Sequence, residues 1–239
     1  MSYFDKPYWW DNNLAWLQRQ PELWSRGKLA FVYREMVGDS GREMYRRLER
    51  LLPTPEHFCA VDHDPMCLLR HAIAGAPFAL VHGDFYQTSL RALEATDGPR
   101  VGILNFDTTD ATRREWFVRH GSTLRQIVDR GSAGCPAFTV IMNHVLNMGI
   151  AEGGGIRENI RRHGEEITRT FDGWIPRRLF PAFTDVGDRY DHAALPSRIG
   201  AYDLYRSKGG DGRDNVAVMI TVRLTFRRSR GRASFDMAQ

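Results

Sequence analysis

The sequence predicts a doubly wound α/β fold in which a mainly parallel sheet ends in an antiparallel hairpin. Five short, unbroken apolar runs between residues 29 and 142 alternate with charged segments of helical pattern, which is typical of buried parallel strands joined by right-handed helical crossovers. After residue 142 this alternation stops. Two strand patterns, 199–205 and 215–226, flank the Gly-rich segment 207–213, and this arrangement indicates a hairpin.

The elements follow in order along the chain. An opening segment, residues 3–24, has four tryptophans at helical spacing and predicts an amphipathic helix packed on the rest of the protein. A basic amphipathic helix is predicted over 156–174, followed by an irregular segment over 176–196. The predicted strands are 29–33, 57–61, 78–81, 100–104 and 137–142, and the helical segments between them are 41–52, 65–74, 88–94 and 109–130. The chain thus divides into three parts: a helical extension (1–28), one α/β domain (29–226) and a basic tail (227–239).

Composition excludes several classes of protein. With 239 residues, 42% of them hydrophobic and 26% charged, the chain can bury one conventional core, which excludes wholesale disorder and fibrous proteins. The three cysteines, Cys59, Cys67 and Cys135, lack Cys-x-x-Cys spacing, so we expect reduced thiols rather than a disulfide framework or a zinc ribbon. The sequence has no cationic start followed by an apolar stretch and no run of about 18 apolar residues, so we expect a cytoplasmic protein.

Residues that follow the apolar runs form the candidate site, because ligands of a doubly wound sheet bind beyond the carboxyl ends of its strands. The first run leads through Glu35 into the small-residue turn Gly38-Asp39-Ser40-Gly41. Such a turn lets a ligand approach the backbone and the exposed amides of the next helix. An ordinary helix N-cap at Asp39 or Ser40 explains the same turn equally well.

The second apolar run ends in Asp62-His63-Asp64. Asp62 lies 21 residues after Gly41, close to the roughly 20 residues that separate a glycine turn from the acid that binds ribose hydroxyls in nucleotide sites. We expect Asp64 to cap the helix that begins at Pro65, which leaves Asp62 for a ligand. His63 is expected to orient or pack rather than to bind a metal.

The third and fourth runs also end in polar residues. Gly83-Asp84-Phe85 places a carboxylate beside a ring, a pair that can hydrogen-bond to adenine and stack on it. The fourth run ends in Asn105-Phe106-Asp107, and if the strand continues, Asn105 and Asp107 point to one side and Phe106 to the other. Each of these turns also occurs as an ordinary strand end, so the argument depends on their occurrence at consecutive strand tips.

This order of strand-end motifs, over roughly residues 29–226, resembles the class I S-adenosylmethionine-dependent methyltransferases, which have a Rossmann-like fold that closes in an antiparallel hairpin. Neither the first motif nor Asn105-Phe106-Asp107 matches the family's usual consensus, so the resemblance does not identify an acceptor. It implies the following roles: Glu35, Gly38, Asp39, Ser40 and Gly41 at the amino-acid end of S-adenosylmethionine, Asp62 with His63 at the ribose, Gly83, Asp84 and Phe85 at the adenine, and Asn105 and Asp107 facing the methyl acceptor.

We therefore expect a methyltransferase that needs no metal. One alternative is a nuclease with magnesium held by Glu35, Asp62, Asp64, Asp84 and Asp107. Another is a non-catalytic Rossmann-like accessory or structural module. The net charge of +4 permits a nucleic-acid acceptor, although a solvated basic face explains the same residues. The arginines that would contact nucleic acid are Arg157, Arg161, Arg162, Arg227, Arg228, Arg230 and Arg232.

Overall fold

Eleven strands and seven α-helices are described in this computed structural model, which covers residues 5–36, 41–111, 114–148, 153–208, 216–229 and 232–237. The strands are β1 (Trp24–Ser25), β2 (Lys28–Leu29), β3 (Val32–Met36), β4 (Phe58–Asp62), β5 (Ala79–His82), β6 (Val101–Ala111), β7 (Phe138–Met148), β8 (Ser197–Ile199), β9 (Tyr202–Lys208), β10 (Val216–Ser229) and β11 (Arg232–Met237). The helices are α1 (Lys6–Gln18), α2 (Gly41–Leu48), α3 (Pro65–Ile73), α4 (Phe85–Glu94), α5 (Arg114–Gly134), α6 (Gly153–Thr170) and α7 (Pro181–Thr184).

Nine of the described strands form one mixed sheet in the order β5-β4-β3-β6-β7-β10-β9-β8, with β11 paired to β10. The strands β3 to β7 run parallel, whereas β10 is antiparallel to its neighbours β7 and β9. The predicted fold class is confirmed. The chain goes outward from β3 through β4 to β5 and then returns to β6, so the strand order reverses between β3 and β6. Ligands of such sheets bind in the crevice at this reversal.

Helices cover both faces of the sheet, and β6 shows which helix lies on which face. Asp107 contacts Lys6 of α1, whereas Phe106 packs on Phe85 and Tyr86 of α4 with ring centroids 4.8 and 5.4 Å apart. Because side chains alternate along a strand, α1 and α4 lie on opposite faces. The helix α2 contacts α1 on the first face, and α5 contacts α4 and α6 on the second. The alternation predicted for Asn105, Phe106 and Asp107 is confirmed.

The first helix is held on the sheet by polar contacts as well as by buried tryptophans. Nε of Arg223 donates to Oδ1 of Asn13 over 2.7 Å, and Arg223 also pairs with Asp203. Nδ2 of Asn12 donates to Oδ2 of Asp203 over 3.1 Å. Three tryptophans of α1 are buried beside these contacts, namely Trp9, Trp10 and Trp16. The helix is therefore packed into the same core as the sheet.

Some element boundaries differ from the sequence-based prediction. The strand β6 continues to Ala111, where a helix was expected from residue 109, because it keeps pairing with β7 as far as Val145. The expected first strand, 29–33, is divided in two. Its start pairs with β1 through a two-residue turn at Arg26 and Gly27, whose φ angles are +49° and +77°. Positive φ at both positions is the geometry of a two-residue hairpin with a type I′ turn.

The segment predicted as a basic tail begins within the sheet. The strand β10 continues to Ser229 and pairs with β11, with Phe226 opposite Phe235. Arg227 pairs with Glu22 over 3.0 Å. The three cysteines are buried and form no disulfide among the described residues. No helix within the described ranges is both long enough and apolar enough to cross a bilayer.

A close backbone contact between α6 and α7 depends on Gly164. A Cβ atom at this position would lie 2.1 Å from the carbonyl oxygen of Phe183, so the two helices would have to separate. We expect Gly164→Ala to lower the free energy of unfolding by about 1–3 kcal/mol, the usual cost of overpacking, despite the higher helix propensity of alanine. Urea denaturation of the variant and the wild type measures this loss.

Gly155 in the same helix provides the matched control. A Cβ atom there meets no atom of the described residues within 4 Å. Gly155→Ala should therefore keep or slightly raise the free energy of unfolding. If the two variants were equally stable, α6 and α7 would not approach each other as closely as described.

Candidate functional site

Buried polar side chains line the crevice between β3 and β6. Glu35 of β3 and Asn105 of β6 are paired in register, and neither is exposed to solvent. Nδ2 of Asn105 donates to the hydroxyl oxygen of Tyr33 over 2.9 Å. Among the described residues, no group makes a hydrogen bond of ordinary geometry to either carboxyl oxygen of Glu35 or to Oδ1 of Asn105. Buried polar atoms that have no hydrogen-bond partner in the protein are usually bound by a ligand or a water molecule.

The surroundings of Glu35 keep its carboxyl group neutral. Burial is the main reason why the pKa of Glu35 rises from the ordinary 4.5 to about 8. The negative charge of Asp107 raises this pKa further, whereas Lys6, Asn105 and Tyr33 act in the opposite direction. Glu35 is therefore protonated at neutral pH and brings a hydrogen-bond donor into the crevice.

Asp107 lies two residues further along β6 and is held from two sides. Nζ of Lys6 lies 3.0 Å from its Oδ2 and 3.3 Å from its Oδ1, and Nδ2 of Asn143 donates to Oδ1 over 2.6 Å. Lys6 also lies over the ring of Trp9, 4.3 Å from the centroid. The Asp107 side chain is only 12% exposed. Its carboxylate therefore has a fixed orientation and limited contact with water.

Asn143 is part of a polar strip that crosses the sheet on the face covered by α1. Its Oδ1 accepts hydrogen bonds from the hydroxyls of Tyr205 and Thr221, over 2.8 and 2.6 Å. Asp107 and Thr221 are its register partners on the neighbouring strands β6 and β10. Because its amide oxygen is already occupied, Asn143 turns its NH₂ group toward Asp107. The orientation of Asp107 on β6 thus depends on the hydroxyl of Thr221, which lies two strands away on β10, and on that of Tyr205, which lies three strands away on β9.

A second group of predicted site residues lies at the ends of β4 and β5. Oδ1 of Asp62 accepts from the amide of Asp64 over 2.8 Å and lies 3.4 Å from Nδ1 of His63, whose side chain is 87% exposed. The amide of Gly83 donates to the carbonyl of Asp62 over 2.9 Å. Gly83 has a φ of +142°, which a residue with a side chain rarely adopts. These contacts join the two strand ends into one surface.

Two acids of this region cap helices. Asp64 accepts a hydrogen bond from the amide of Met66 at the start of α3, over 2.9 Å, as the sequence predicts. Asp84 accepts from the amide of Gln87 at the start of α4, over 2.8 Å. Phe85 is buried against Phe106, so adenine could stack on its ring only if the ring left the core. The assignment of Asp84 and Phe85 to adenine stays a prediction.

The predicted glycine turn lies mostly outside the described residues. Gly38, Asp39 and Ser40 belong to the range 37–40, which the structure does not describe, and Gly41 is the first residue of α2. The start of α2 follows the end of β3, and Glu35 lies one residue before that end. The turn therefore connects two elements that border the crevice.

Within the described residues, three of the arginines predicted to contact nucleic acid, Arg161, Arg162 and Arg227, are paired with carboxylates. Arg161 and Arg162 lie 2.8 and 2.7 Å from Glu158, and Arg161 also pairs with Glu165. Arg157 donates to the carbonyl of Tyr190 over 3.3 Å. Of the remaining arginines, Arg227 pairs with Glu22, Arg228 and Arg232 lie on β10 and β11, and Arg230 lies outside the described residues.

The acids considered as magnesium ligands are distributed over two places. Glu35 and Asp107 lie in the crevice, whereas Asp62, Asp64 and Asp84 lie at the ends of β4 and β5. Within the part of the chain that the structure describes, no three His, Cys, Asp or Glu side chains come close enough together to hold a metal ion. Lys6 provides a positive charge 3.0 Å from Asp107.

Five residues described above at this site were not identified from the sequence: Lys6, Tyr33, Asn143, Tyr205 and Thr221. Asn143 follows the fifth apolar run directly, so the rule applied to the other four runs would have found it. Tyr33 precedes Glu35 by two residues and therefore shares its face of β3. No local pattern indicates Lys6 or Tyr205, because their contacts with Asp107 and Asn143 span 101 and 62 residues of sequence.

The pKa of Glu35 predicts how stability depends on pH. Between pH 4.5 and about 8, the folded protein keeps a proton on Glu35 that the unfolded chain has lost, so the free energy of unfolding falls as the pH rises through this range. Glu35→Gln removes the titrating group. Relative to the wild type, the variant should gain about 4 kcal/mol between about pH 5 and about pH 8.5. Denaturant unfolding of both proteins at several pH values measures the difference.

Glu49→Gln controls for the loss of one carboxylate, because Glu49 is exposed just after α2. Its stability relative to the wild type should change little over the same pH range. A constant difference between Glu35→Gln and the wild type at every pH would show that Glu35 is not neutral in the folded protein.

No protein-family model and no curated protein sequence matches the chain. Solved structures with a similar chain fold include an S-adenosylmethionine-dependent methyltransferase from Agrobacterium tumefaciens, at 14% identity and TM-score 0.46, covering 92% of this chain and 61% of that one. A candidate O-methyltransferase from Klebsiella pneumoniae aligns at 15% identity and TM-score 0.39, over 87% of this chain and 77% of that one. Precorrin-6y C5,15-methyltransferase from Geobacter metallireducens aligns at 12% identity and TM-score 0.33, over 84% and 82%. The chain thus spans less than two thirds of the length of the first of these proteins.

The strand order within this chain establishes its fold. Parallel strands extend on both sides of the reversal between β3 and β6, and β10 is inserted antiparallel between β7 and β9. The mainly parallel sheet with antiparallel strands near one end agrees with the predicted fold class. The chain therefore has a doubly wound, Rossmann-like fold.

Proposed function

We propose that the chain is an S-adenosylmethionine-dependent methyltransferase whose reaction takes place at the crevice between β3 and β6. The observation that carries the proposal is the pairing of Glu35 with Asn105 at the reversal of strand order, with Asp107 two residues beyond. A doubly wound sheet binds its ligands at this place. The carboxyl oxygens of Glu35 and Oδ1 of Asn105 are buried and have no hydrogen bond of ordinary geometry among the described residues, although Tyr33 and Asn105 lie close enough to Glu35 to lower its pKa.

The residues present fit the polar ends of S-adenosylmethionine. Asp62 at the end of β4 is proposed to accept hydrogen bonds from the ribose hydroxyls, as an acid at this place does in nucleotide sites. The carboxyl group of Glu35 and Oδ1 of Asn105 can receive and orient the amino-acid end, together with the turn that leads to Gly41. Asp84 is proposed for the adenine edge.

Asp107 is proposed as the base that takes a proton from the methyl acceptor. Methyl transfer from a sulfonium needs alignment of the donor with the nucleophile and, for a protonated nucleophile, a group that removes the proton. The cofactor supplies the methyl group when it is bound. Asn143 and Lys6 hold the Asp107 carboxylate in one orientation, so its position does not depend on solvent.

Nucleic acid is the less favoured class of acceptor. The contact surface predicted on α6 has Arg161 and Arg162 paired with Glu158, which lowers the positive potential that attracts phosphates. A contact through residues 227–232 stays a prediction, as does a cytoplasmic location. The alternative, a non-catalytic module, would have the same fold. It would differ from a methyltransferase in one measurable property, since it would bind no S-adenosyl ligand.

Asp62→Ala should weaken the binding of S-adenosylmethionine and S-adenosylhomocysteine. Loss of hydrogen bonds to a charged acceptor costs roughly 1.5–3 kcal/mol, which corresponds to a Kd about 10- to 150-fold higher. Isothermal titration calorimetry of the wild type and the variant with both ligands measures the change. Asp62→Asn separates binding from local folding, because asparagine keeps an oxygen for the amide of Asp64.

Asp64→Ala is the matched control, since Asp64 caps α3 and is not placed in the cofactor site. It should lower the free energy of unfolding by about 0.5–2 kcal/mol and leave the Kd unchanged. Unchanged affinity in a folded Asp62→Ala variant would remove Asp62 from the site. A wild-type chain that binds neither ligand would contradict the methyltransferase proposal and favour the non-catalytic module.

A further inference from the structure

The ammonium group of Lys6 lies in a cage at the proposed site, formed by the carboxylate of Asp107 and the ring of Trp9. Both oxygens of Asp107 lie within 3.3 Å of Nζ, and the ring of Trp9 lies under it at 4.3 Å. Lys6 as a residue is only 7% exposed. A carboxylate combined with an aromatic face is the kind of surface that binds amines and their methylated forms.

The walls of this cage are fixed by contacts of their own. The Trp9 ring stacks on Tyr205 with an interplanar angle of 21° and 6.3 Å between centroids. The hydroxyl of Tyr205 holds Asn143, and Asn143 in turn holds Asp107. The cage therefore does not depend on Lys6 alone for its shape, as is expected of a binding site.

Helix formation does not explain the place of Lys6. It is the first residue of α1, where the helix dipole favours negative charges and disfavours a cation. Burial also removes solvation from the ammonium group. The position of Lys6 instead corresponds to that of an acceptor amine, because its Nζ contacts the residue proposed as the base.

We propose that Lys6 is itself a methyl acceptor, methylated on Nζ by the site of its own chain. This inference depends on the proposed function and specifies its substrate class as a primary amine. Glu35 does not compete for the amine as a second anion, because its raised pKa of about 8 leaves it neutral at pH 7.

The reaction balances with S-adenosylmethionine as the only co-reactant. The ammonium group of Lys6 transfers one proton to a carboxylate oxygen of Asp107, which frees the nitrogen lone pair. The lone pair forms the new N–CH₃ bond while the bond between the methyl carbon and the sulfonium breaks, and the sulfur keeps that electron pair. The products are N-methyl-lysine at position 6, S-adenosylhomocysteine and one proton, which Asp107 releases to water.

The chain is well suited to a direct test, because it contains three lysines: Lys6, Lys28 and Lys208. The purified full chain is incubated with S-adenosylmethionine carrying a labelled methyl group, digested with trypsin and analysed by fragmentation mass spectrometry. Trypsin does not cut before Pro7, so residues 1–19 are recovered as one peptide with one lysine. Fragment ions separate a methyl group on Lys6 from one on the terminal amine of Met1.

Methyl groups on Lys6, with Lys28 and Lys208 unmodified, are the expected result. Lys28 is an internal control because it is exposed and donates to the carbonyl of Arg50, away from the crevice. Lys6→Arg keeps a cation in the cage and should show no methylation of the same peptide. Asp107→Asn should slow methylation of Lys6 by about 100-fold or more, the usual contribution of a general base, without losing cofactor binding.

Calorimetry with S-adenosylmethionine on the same preparations distinguishes the two ways in which the inference can fail. If the cofactor binds and Lys6 stays unmodified, Lys6 is only a structural counter-ion and the proposed function is unaffected. If no cofactor binds, the proposed function and the inference both fail. Equal methylation of all three lysines, or undiminished methylation in Asp107→Asn, would also overturn the inference.

Discussion

The ion pair between Lys6 and Asp107 is the contact on which the site depends. It joins the first turn of α1 to the strand that borders the crevice. Without Lys6, the Asp107 carboxylate would lie mostly buried near Glu35 with no opposite charge beside it, a situation that costs about 3–5 kcal/mol in other proteins. Lys6 places an opposite charge 3.0 Å from the Asp107 carboxylate, whereas burial and the negative charge of Asp107 raise the pKa of Glu35 to about 8. Two acids on neighbouring strands thus have different chemical roles.

A second buried ion pair, between Arg223 and Asp203, holds the middle of the same helix through Asn13. Buried ion pairs are not efficient stabilisers, because desolvation offsets much of their attraction. Their advantage here is specificity: a shift of α1 along the sheet would leave several buried polar groups without partners. The tryptophans supply apolar contact area that would tolerate such a shift better. Polar contacts therefore fix where α1 lies, and apolar contacts keep it there.

The fold and one part of the site could be predicted from local patterns. Apolar runs and their order indicated the parallel strands, and simple alternation placed Asn105 and Asp107 on one side of β6. Asp64 was correctly identified as a helix cap because Pro65 follows it. Local patterns did not indicate that Asp84 caps α4. They also failed for Lys6, since its partner lies 101 residues away and only the assembled sheet brings the two together.

The contacts of α1 also determine when this helix can reach its final place. Its partners Asp203 and Arg223 are 191 and 210 residues away from Asn12 and Asn13 in the sequence. During synthesis α1 leaves the ribosome long before β9 and β10 exist. A helix of 13 residues is marginal in water without tertiary contacts. Its tryptophans therefore remain exposed on a nascent chain until the last strands are made, which is the condition under which chaperones bind and aggregation begins.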